Sequence, residues 1–247
     1  MSAYVSLATY YDALTQDVPY GRFVDFYEDI FCRYGICPGL VLDLACGTGT
    51  ITLLMAEKGY EMIGVDASED MLAAAMEKVA GAKCDVCPMF LCQSMEELDL
   101  YGTVSAAICS LDGINYVPPA SLSQVFQRLR LFLEPGGVFV FDVNTPEKLK
   151  GQDGQLYIDE TDNVYCVWRT EFDFEENVCN YGIDIFMRRG GLWQRGFEEH
   201  TEYAHSIRDL KQQLEKSGFG DISVFGELRP ESPSEGERRV FLAARRL

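Results

Sequence analysis

The chain has 247 residues, 47% of them apolar, and its 39 acidic and 21 basic side chains give a formal net charge of −18. A chain of this size can bury one sizeable core, which predicts a single domain over residues 1–247, while its charge argues against nucleic-acid or membrane partners, since these attract Lys and Arg. No apolar run is long enough for a transmembrane helix and Met1-Ser2-Ala3-Tyr4 starts no signal peptide, so we expect a cytoplasmic protein.

The N-terminal region is rich in aromatic side chains. Between residues 23 and 31 these side chains recur at spacings of three, one and four, which is typical of an amphipathic helix. We therefore expect a helix ahead of the first core strand.

A buried strand and a loop of small residues open the core. Val41–Leu44 is apolar except for Asp43, and Ala45–Gly49 follows as a loop that leads into a predicted helix. Small residues let a ligand lie against the backbone where a helix begins. The next predicted strand, 62–65, is followed by Asp66, an acid that can accept hydrogen bonds from both hydroxyls of a ribose. These features predict an adenosine-containing cofactor.

Two features of the loop discriminate between such cofactors. The dinucleotide fingerprint requires a third small residue, and aligning Gly47 and Gly49 with its first two glycines leaves Thr52 in that position. Asp43, at the loop entrance, suits a cationic or amine-bearing ligand better than a pyrophosphate. A sulfonium cofactor with an α-amino group is therefore favoured over NAD.

The same residues resemble a known family. Asp43-Leu44-Ala45-Cys46-Gly47-Thr48-Gly49 is similar to the first motif of class I S-adenosylmethionine-dependent methyltransferases, with Ala45 as a tolerated departure from glycine. Asp66 matches their ribose-binding acid, residues 67–71 match its usual continuation, and residues 133–137 resemble the turn before their fifth strand. The resemblance implies a small bacterial enzyme, of a largely uncharacterised type that acts on small molecules, with S-adenosylmethionine as cofactor and S-adenosylhomocysteine as product.

The resemblance also implies which residues contact the cofactor. The segment around Tyr11 and Tyr20, in an N-terminal helical lid over residues 1–37, is similar to one that folds over the cofactor in many small-molecule methyltransferases. Ser94 stands where relatives commonly carry the Asp that receives the adenine amino group. The expected cofactor contacts are Tyr11, Tyr20, Asp43, Ala45, Cys46, Gly47, Gly49, Asp66, Ala67, Met71, Ser94, Met95 and Ser110.

Strand and helix alternate through the predicted cofactor-binding core, residues 38–150. This alternation predicts an α/β fold with a doubly wound, mostly parallel, seven-stranded Rossmann-like sheet that binds ligands at the carboxyl ends of its strands. Residues 151–205 alternate apolar and polar side chains instead, which predicts an inserted antiparallel β meander that roofs the active site. Residues 206–247 are expected to add a C-terminal helix and a hairpin that closes the sheet.

Candidate substrate residues follow the fourth predicted strand, 104–109. Polar and aromatic side chains cluster there, and we expect Asp112, Asn115 and Tyr116 to act on the substrate, with a simple turn as the alternative. His200, in the meander, is a candidate base because histidine titrates near neutral pH. A solvated strand histidine is the alternative interpretation of His200.

Methyl transfer from a sulfonium is a direct displacement, which mainly requires that nucleophile, methyl group and sulfur be held in line. A general base is needed only where the nucleophile must first lose a proton, and the charged sulfonium needs no metal to activate it. The pair Cys84-x-x-Cys87 has no second pair with matching spacing, so we expect no metal site.

The sequence thus predicts an S-adenosylmethionine-dependent methyltransferase that acts on a small-molecule substrate, as a monomer or homodimer. An NAD-dependent oxidoreductase and a non-catalytic S-adenosylmethionine-binding protein are the alternatives. Because one scaffold can methylate nitrogen, oxygen or carbon, the fold does not select the methylated atom.

Overall fold

The structure is a computed structural model that describes Ala8 and residues 10–247, so the prediction about Met1-Ser2-Ala3-Tyr4 lies outside the described residues. The helices are α1 (Tyr11–Leu14), α2 (Tyr20–Arg33), α3 (Thr50–Glu57), α4 (Glu69–Val79), α5 (Leu122–Phe132), α6 (Pro146–Lys150) and α7 (Ile207–Lys216). The strands are β1 (Leu40–Leu44), β2 (Glu61–Asp66), β3 (Met89–Cys92), β4 (Val104–Cys109), β5 (Leu133–Asn144), β6 (Leu156–Glu160), β7 (Val164–Asp173), β8 (Val178–Arg189), β9 (Leu192–Tyr203), β10 (Phe219–Gly226) and β11 (Arg239–Arg246). Within this described part of the chain, every helix is too short or too polar to cross a membrane.

Seven strands form the main sheet, in the order β10-β11-β5-β4-β1-β2-β3. The strands from β5 to β3 pair in parallel, whereas β11 is antiparallel to β5 and β10 is antiparallel to β11. This arrangement confirms the predicted doubly wound, mostly parallel sheet and its closing hairpin. The direction of winding reverses between β1 and β4, where the loops diverge and open the crevice in which such sheets bind ligands.

The central strands fill the core on both faces of the sheet. In β1, Leu42 and Leu44 pack on the face covered by α5 and α7, while Val41 packs on the face covered by α2 and α3. In β4, Ala107 and Ile108 divide between the two faces in the same way. Strands that are buried on both faces are continuous apolar runs in the sequence, which is why the pattern predicts them well.

The N-terminal region contains two helices with different roles. The aromatic stripe of α2, which includes Phe23, Phe26, Tyr27 and Phe31, packs on the sheet with at most 4% of each residue exposed. The predicted helical lid over residues 1–37 is therefore corrected, because burying this stripe makes α2 part of the core. The lid role of the segment around α1 stays a prediction.

Helix α1 joins the main sheet to the meander. Tyr11 and Leu14 pack against the apolar inner face of the meander. Asp12, on the same short helix, accepts hydrogen bonds from Thr48 Oγ1 at 2.6 Å and from Lys78 Nζ at 2.7 Å. The helix therefore contacts the loop after β1 and the meander at the same time.

The meander is a separate four-stranded antiparallel sheet, in the order β6-β7-β8-β9. Left-handed residues lie in the turn between β7 and β8 and in the turn between β8 and β9, Asn177 with φ of +55° and Gly190 with φ of +61°. The alternation of apolar and polar residues does not predict the edge strand β6. Three consecutive side chains of this strand, Leu156, Tyr157 and Ile158, are apolar and exposed.

The turn after β4 is fixed by one buried side chain. Asn115 Nδ2 donates to the backbone oxygens of Asn144 at 3.1 Å and Tyr203 at 3.0 Å, and Asn115 Oδ1 accepts from the Asn144 N–H at 2.9 Å. The predicted catalytic role of Asn115 is therefore corrected. Its amide is fully buried and joins the end of β5 to the end of β9.

We expect Asn115→Ala to lower the free energy of unfolding by about 3 kcal/mol, because it leaves buried backbone groups of Asn144 and Tyr203 without partners. Urea denaturation followed by circular dichroism measures the change. Asn180→Ala is the matched control, since Asn180 is exposed and bonds Thr201 at the surface; it should change stability by less than about 0.5 kcal/mol. Equal losses in the two variants would contradict the structural role of Asn115.

Candidate active site

A cavity of about 510 Å³ opens at the carboxyl edge of the main sheet. Its walls come from the loops after the parallel strands, from α1 and from the meander, whose Trp168, Tyr181, His200 and Glu202 face into it. The meander therefore lies over this cavity, and its predicted role as the roof of the active site stays a prediction.

The cavity has two ends with different chemistry. The loop end is formed around Asp43 and Asp66, beside the loop after β1. The meander end is formed around Tyr116, Glu202 and Arg239. A ligand bound at one end can therefore reach a ligand bound at the other.

The loop after β1 has left-handed backbone at Ala45, Gly47 and Gly49, with φ of +58°, +55° and +70°. Ala45 and Gly47 line the cavity. At Gly49 a Cβ would lie 3.0 Å from both Ala75 Cβ and the Phe90 ring, so glycine is required there by packing. The predicted cofactor contact at Gly49 is therefore corrected, since this residue is not among those that line the cavity and its φ and packing account for the glycine.

Asp66 is held at the loop end by backbone groups. Its Oδ2 accepts from Gly47 N–H at 2.8 Å and its Oδ1 accepts from Ser68 N–H at 2.9 Å. Burial raises the pKa of Asp66, although these backbone N–H groups act to lower it. Each carboxylate oxygen has a second lone pair, so the oriented Asp66 can still accept hydroxyl groups from a ligand.

Asp43 is the most deeply buried acid at the loop end, with 1% of its surface exposed. Its Oδ2 accepts from Thr52 Oγ1 at 2.6 Å, whereas Oδ1 has no hydrogen-bond partner among the described residues. Burial raises the pKa of Asp43 to about 7, with the Thr52 hydroxyl acting to lower it. A buried carboxylate with an open oxygen is strongly stabilised by a ligand ammonium. Thr52, which does not fit the dinucleotide fingerprint, thus orients this acid.

The other predicted cofactor residues gather around the same end. Ser110 is fixed by a hydrogen bond of 2.6 Å with the Tyr27 hydroxyl, and Tyr20 donates to Thr15 Oγ1 at 2.9 Å. Ser94 contacts Glu97 through its hydroxyl at 3.4 Å. The predicted residues that line the cavity, besides those above, are Tyr11, Tyr20, Cys46, Ala67, Met71, Ser94, Met95 and Ser110.

At the meander end, Asp112 lies in a network with one arginine. Leu111 and Asp112 have left-handed backbone, and their N–H groups donate to Asp142 at 2.7 and 3.0 Å. Arg239 donates to the Asp112 carboxylate at 2.7 Å and also bonds Asp142. The predicted Asp112 therefore faces the cavity as half of an ion pair, and its role in catalysis stays a prediction.

Tyr116 and His200, both predicted to act on the substrate, line the cavity together. Their rings meet edge to face with centroids 6.2 Å apart. His200 is 6% exposed and its Nε2 lies 3.3 Å from Glu198 Oε2, so the alternative of a solvated strand histidine is wrong. The role of these two side chains in catalysis stays a prediction.

Sequence reasoning missed five polar residues of the meander end: Asn144, Lys148, Gln152, Glu202 and Arg239. Period-two alternation from His200 would have found Glu202, because the two residues share one face of β9. Asn144 is the last residue of β5 and therefore lies at the same sheet edge as the loop after β1. Its position at the carboxyl end of a parallel strand would have indicated that it lines the site. Nothing in the sequence near Arg239 indicates that it lines the cavity, because its position depends on the antiparallel pairing of β11 with β5.

Comparisons with known proteins agree with this geometry. A family model described as a methyltransferase domain matches residues 41–137. The Bacillus subtilis protein named Putative methyltransferase YqeM is 27% identical over 246 residues, which cover 98% of this chain and 97% of that protein.

Solved structures share the whole fold. A crystal structure of an S-adenosylmethionine-dependent methyltransferase from Clostridium acetobutylicum has a TM-score of 0.86, 27% identity and 99% coverage of both chains. The sugar N-methyltransferase KedS8 from Streptoalloteichus has a TM-score of 0.76 at 18% identity, covering 94% of this chain and 90% of that chain, and shares the fold. The sheet, the loop with its two acids and these matches together support a class I S-adenosylmethionine-dependent methyltransferase, and residues 41–137 match a methyltransferase domain.

Proposed function

We propose that the chain methylates a small molecule, bound at the meander end of the cavity, by direct displacement. The observation that carries this proposal is the continuous cavity between the loop end and the meander, whose volume of about 510 Å³ falls in the range of small-molecule sites. The net charge of −18 also favours a small acceptor over a nucleic acid. The fold shared with a sugar N-methyltransferase supports the same acceptor class.

The residues at the loop end fit S-adenosylmethionine. Asp66 is oriented to accept the ribose hydroxyls, and the open Oδ1 of Asp43 suits the α-amino group. Ser94 and Met95 lie beyond Asp66, where the adenine would rest. When bound, the cofactor supplies a methyl group on a positively charged sulfur.

The chain's own contribution is to position the acceptor and exclude water. Helix α1 and the meander cover the cavity, and Asp12 fastens α1 to the loop through Thr48 and Lys78. Holding the two reactants together in a dry site supplies much of the rate enhancement expected of a displacement.

We expect the protein to bind S-adenosylhomocysteine and not NAD, and Asp66→Ala to weaken this binding by about 1.5–3 kcal/mol, the range for hydrogen bonds to charged groups. Isothermal titration calorimetry with both ligands measures this. Glu61→Ala, an exposed change at the other end of β2, is the control and should leave affinity unchanged. NAD binding without S-adenosylhomocysteine binding would favour the oxidoreductase alternative.

Cofactor binding should depend on the protonation of Asp43. Because its pKa is raised to about 7, S-adenosylhomocysteine affinity should fall as pH drops below 7, by up to about tenfold per pH unit, since the ligand ammonium must displace a proton. Calorimetry at pH 6 in buffers of different ionisation enthalpy should detect close to one proton released. Asp43→Asn should bind more weakly and show no such release; proton release that persists in this variant would assign it elsewhere.

The lid should become ordered when the cofactor binds. We expect amide exchange at residues 10–18 to slow on adding S-adenosylhomocysteine, while α2, which is packed in the core, stays protected in both states. Hydrogen exchange with mass spectrometry measures this. Tyr20→Ala should weaken cofactor binding without unfolding the sheet, because Tyr20 lines the cavity. Identical exchange with and without ligand would make α1 a fixed part of the wall.

A further inference from the structure

The meander end holds a buried carboxylate that the cofactor does not use. Glu202 in β9 is 4% exposed and faces the cavity beside Trp168 and Tyr181. Its Oε2 accepts from Asn144 Nδ2 at 2.7 Å, and it forms no ion pair with any described residue. Such a group is costly to bury unless a ligand compensates its charge.

The hydrogen bonds around Glu202 run in one direction. Lys148 Nζ donates to Asn144 Oδ1 at 2.6 Å, and an ammonium can only donate. The amide oxygen of Asn144 is therefore on the lysine side, and its NH2 group must face Glu202. The backbone of Asn144 is itself fixed by Asn115. Glu202 thus ends the chain of hydrogen bonds as an acceptor that is open to a donor in the cavity.

Acids outnumber cations at this end among the described residues. Arg239 bonds both Asp112 and Asp142, and Lys148 is the other cation that lines the cavity. Asp112, Asp142 and Glu202 therefore face two cations, and Glu227, 3.9 Å from Arg239, adds an exposed carboxylate. A positively charged ligand would neutralise the remainder, whereas a neutral hydroxyl group would not.

We propose that the methyl acceptor is an amine, and that Glu202 binds its ammonium form and accepts the proton it must lose before methyl transfer. This inference rests on the proposed function and names the acceptor class for the same site. Trp168 and Tyr181 provide apolar and aromatic surface beside that nitrogen.

The reaction balances with the groups present. The ammonium passes one proton to Glu202, which frees the nitrogen lone pair. The nitrogen then bonds the methyl carbon as the carbon–sulfur bond breaks, and that electron pair stays on sulfur as S-adenosylhomocysteine. The product is the methylated ammonium, and Glu202 returns its proton to water.

Burial, together with the charge of Asp112, raises the pKa of Glu202 to about 7, which suits a base at neutral pH. The same burial makes the proton transfer depend on pH. The titratable and charged groups around Glu202 are Asp112, Lys148, Cys179, Tyr181, His200 on the same face of β9 and, through Asp112, Arg239.

Sinefungin tests the assignment without knowledge of the substrate, because it carries an amine where S-adenosylmethionine carries its sulfonium methyl. Calorimetry at pH 8 should show sinefungin binding about tenfold or more tightly than S-adenosylhomocysteine, through the charge-assisted bond to Glu202. In Glu202→Gln the preference should disappear, while S-adenosylhomocysteine affinity stays unchanged and shows that the variant is folded.

Glu198→Gln is the matched control, since Glu198 is an equally buried acid on the same face of β9 that does not line the cavity. It should keep the preference for sinefungin. In the unaltered protein the preference should also shrink between pH 8 and pH 5.5 as Glu202 takes up a proton. The titration of Asp43 affects both ligands alike and cancels in the ratio.

Two results would overturn the amine assignment: no preference for sinefungin in the unaltered protein, or an equal preference in Glu202→Gln. Failure to bind S-adenosylhomocysteine at all would instead overturn the proposed function, and this inference with it. Binding of S-adenosylhomocysteine thus distinguishes a failure of the amine assignment from a failure of the proposed function.

Discussion

Carboxylates on the strands hold the loops at the carboxyl edge of the sheet, and the geometry of the cavity depends on them. Asp66, at the end of β2, accepts the N–H of Gly47 in the loop after β1. Asp142, within β5, accepts the N–H groups of Leu111 and Asp112 in the loop after β4. In each case one strand fixes the loop of its neighbour. The bonds to Asp142 stabilise left-handed backbone at Leu111 and Asp112, which is otherwise costly for residues with a side chain.

These carboxylates concentrate negative charge around the cavity, and only some of them are paired with a cationic side chain. Arg239 compensates the loop after β4, where it bonds Asp112 and Asp142. Asp43 and Glu202 have no such partner among the described residues, and burial raises the pKa of each to about 7. Cationic groups of ligands are therefore most stabilised at these two points, one at each end of the cavity. The acids that organise the loops and the two acids without a cationic partner therefore surround one cavity.

The local sequence was enough to predict the sheet and most of the loop end. Apolar runs marked the strands that are buried on both faces, and Asp43, the small loop and Asp66 lie within one strand-loop-helix-strand unit. Parallel strands place the ends of such a unit side by side, so short spacing in sequence becomes proximity in space. Gly49 was the exception, because sequence alone does not separate a glycine required by a ligand from one required by packing against Phe90.

The sequence predicted Asp112, Tyr116 and His200, but only the tertiary structure decided which polar groups surround them at the meander end. Alternation predicted that β9 has two faces, but not that the face bearing His200 and Glu202 would be buried over the cavity. That placement comes from contacts between distant segments, such as Asn115 joining β5 to β9 and α1 packing on the meander. Arg239 reaches Asp112 only because β11 pairs antiparallel with β5. Periodicity specifies which side chains share a surface, whereas long-range packing determines what that surface faces.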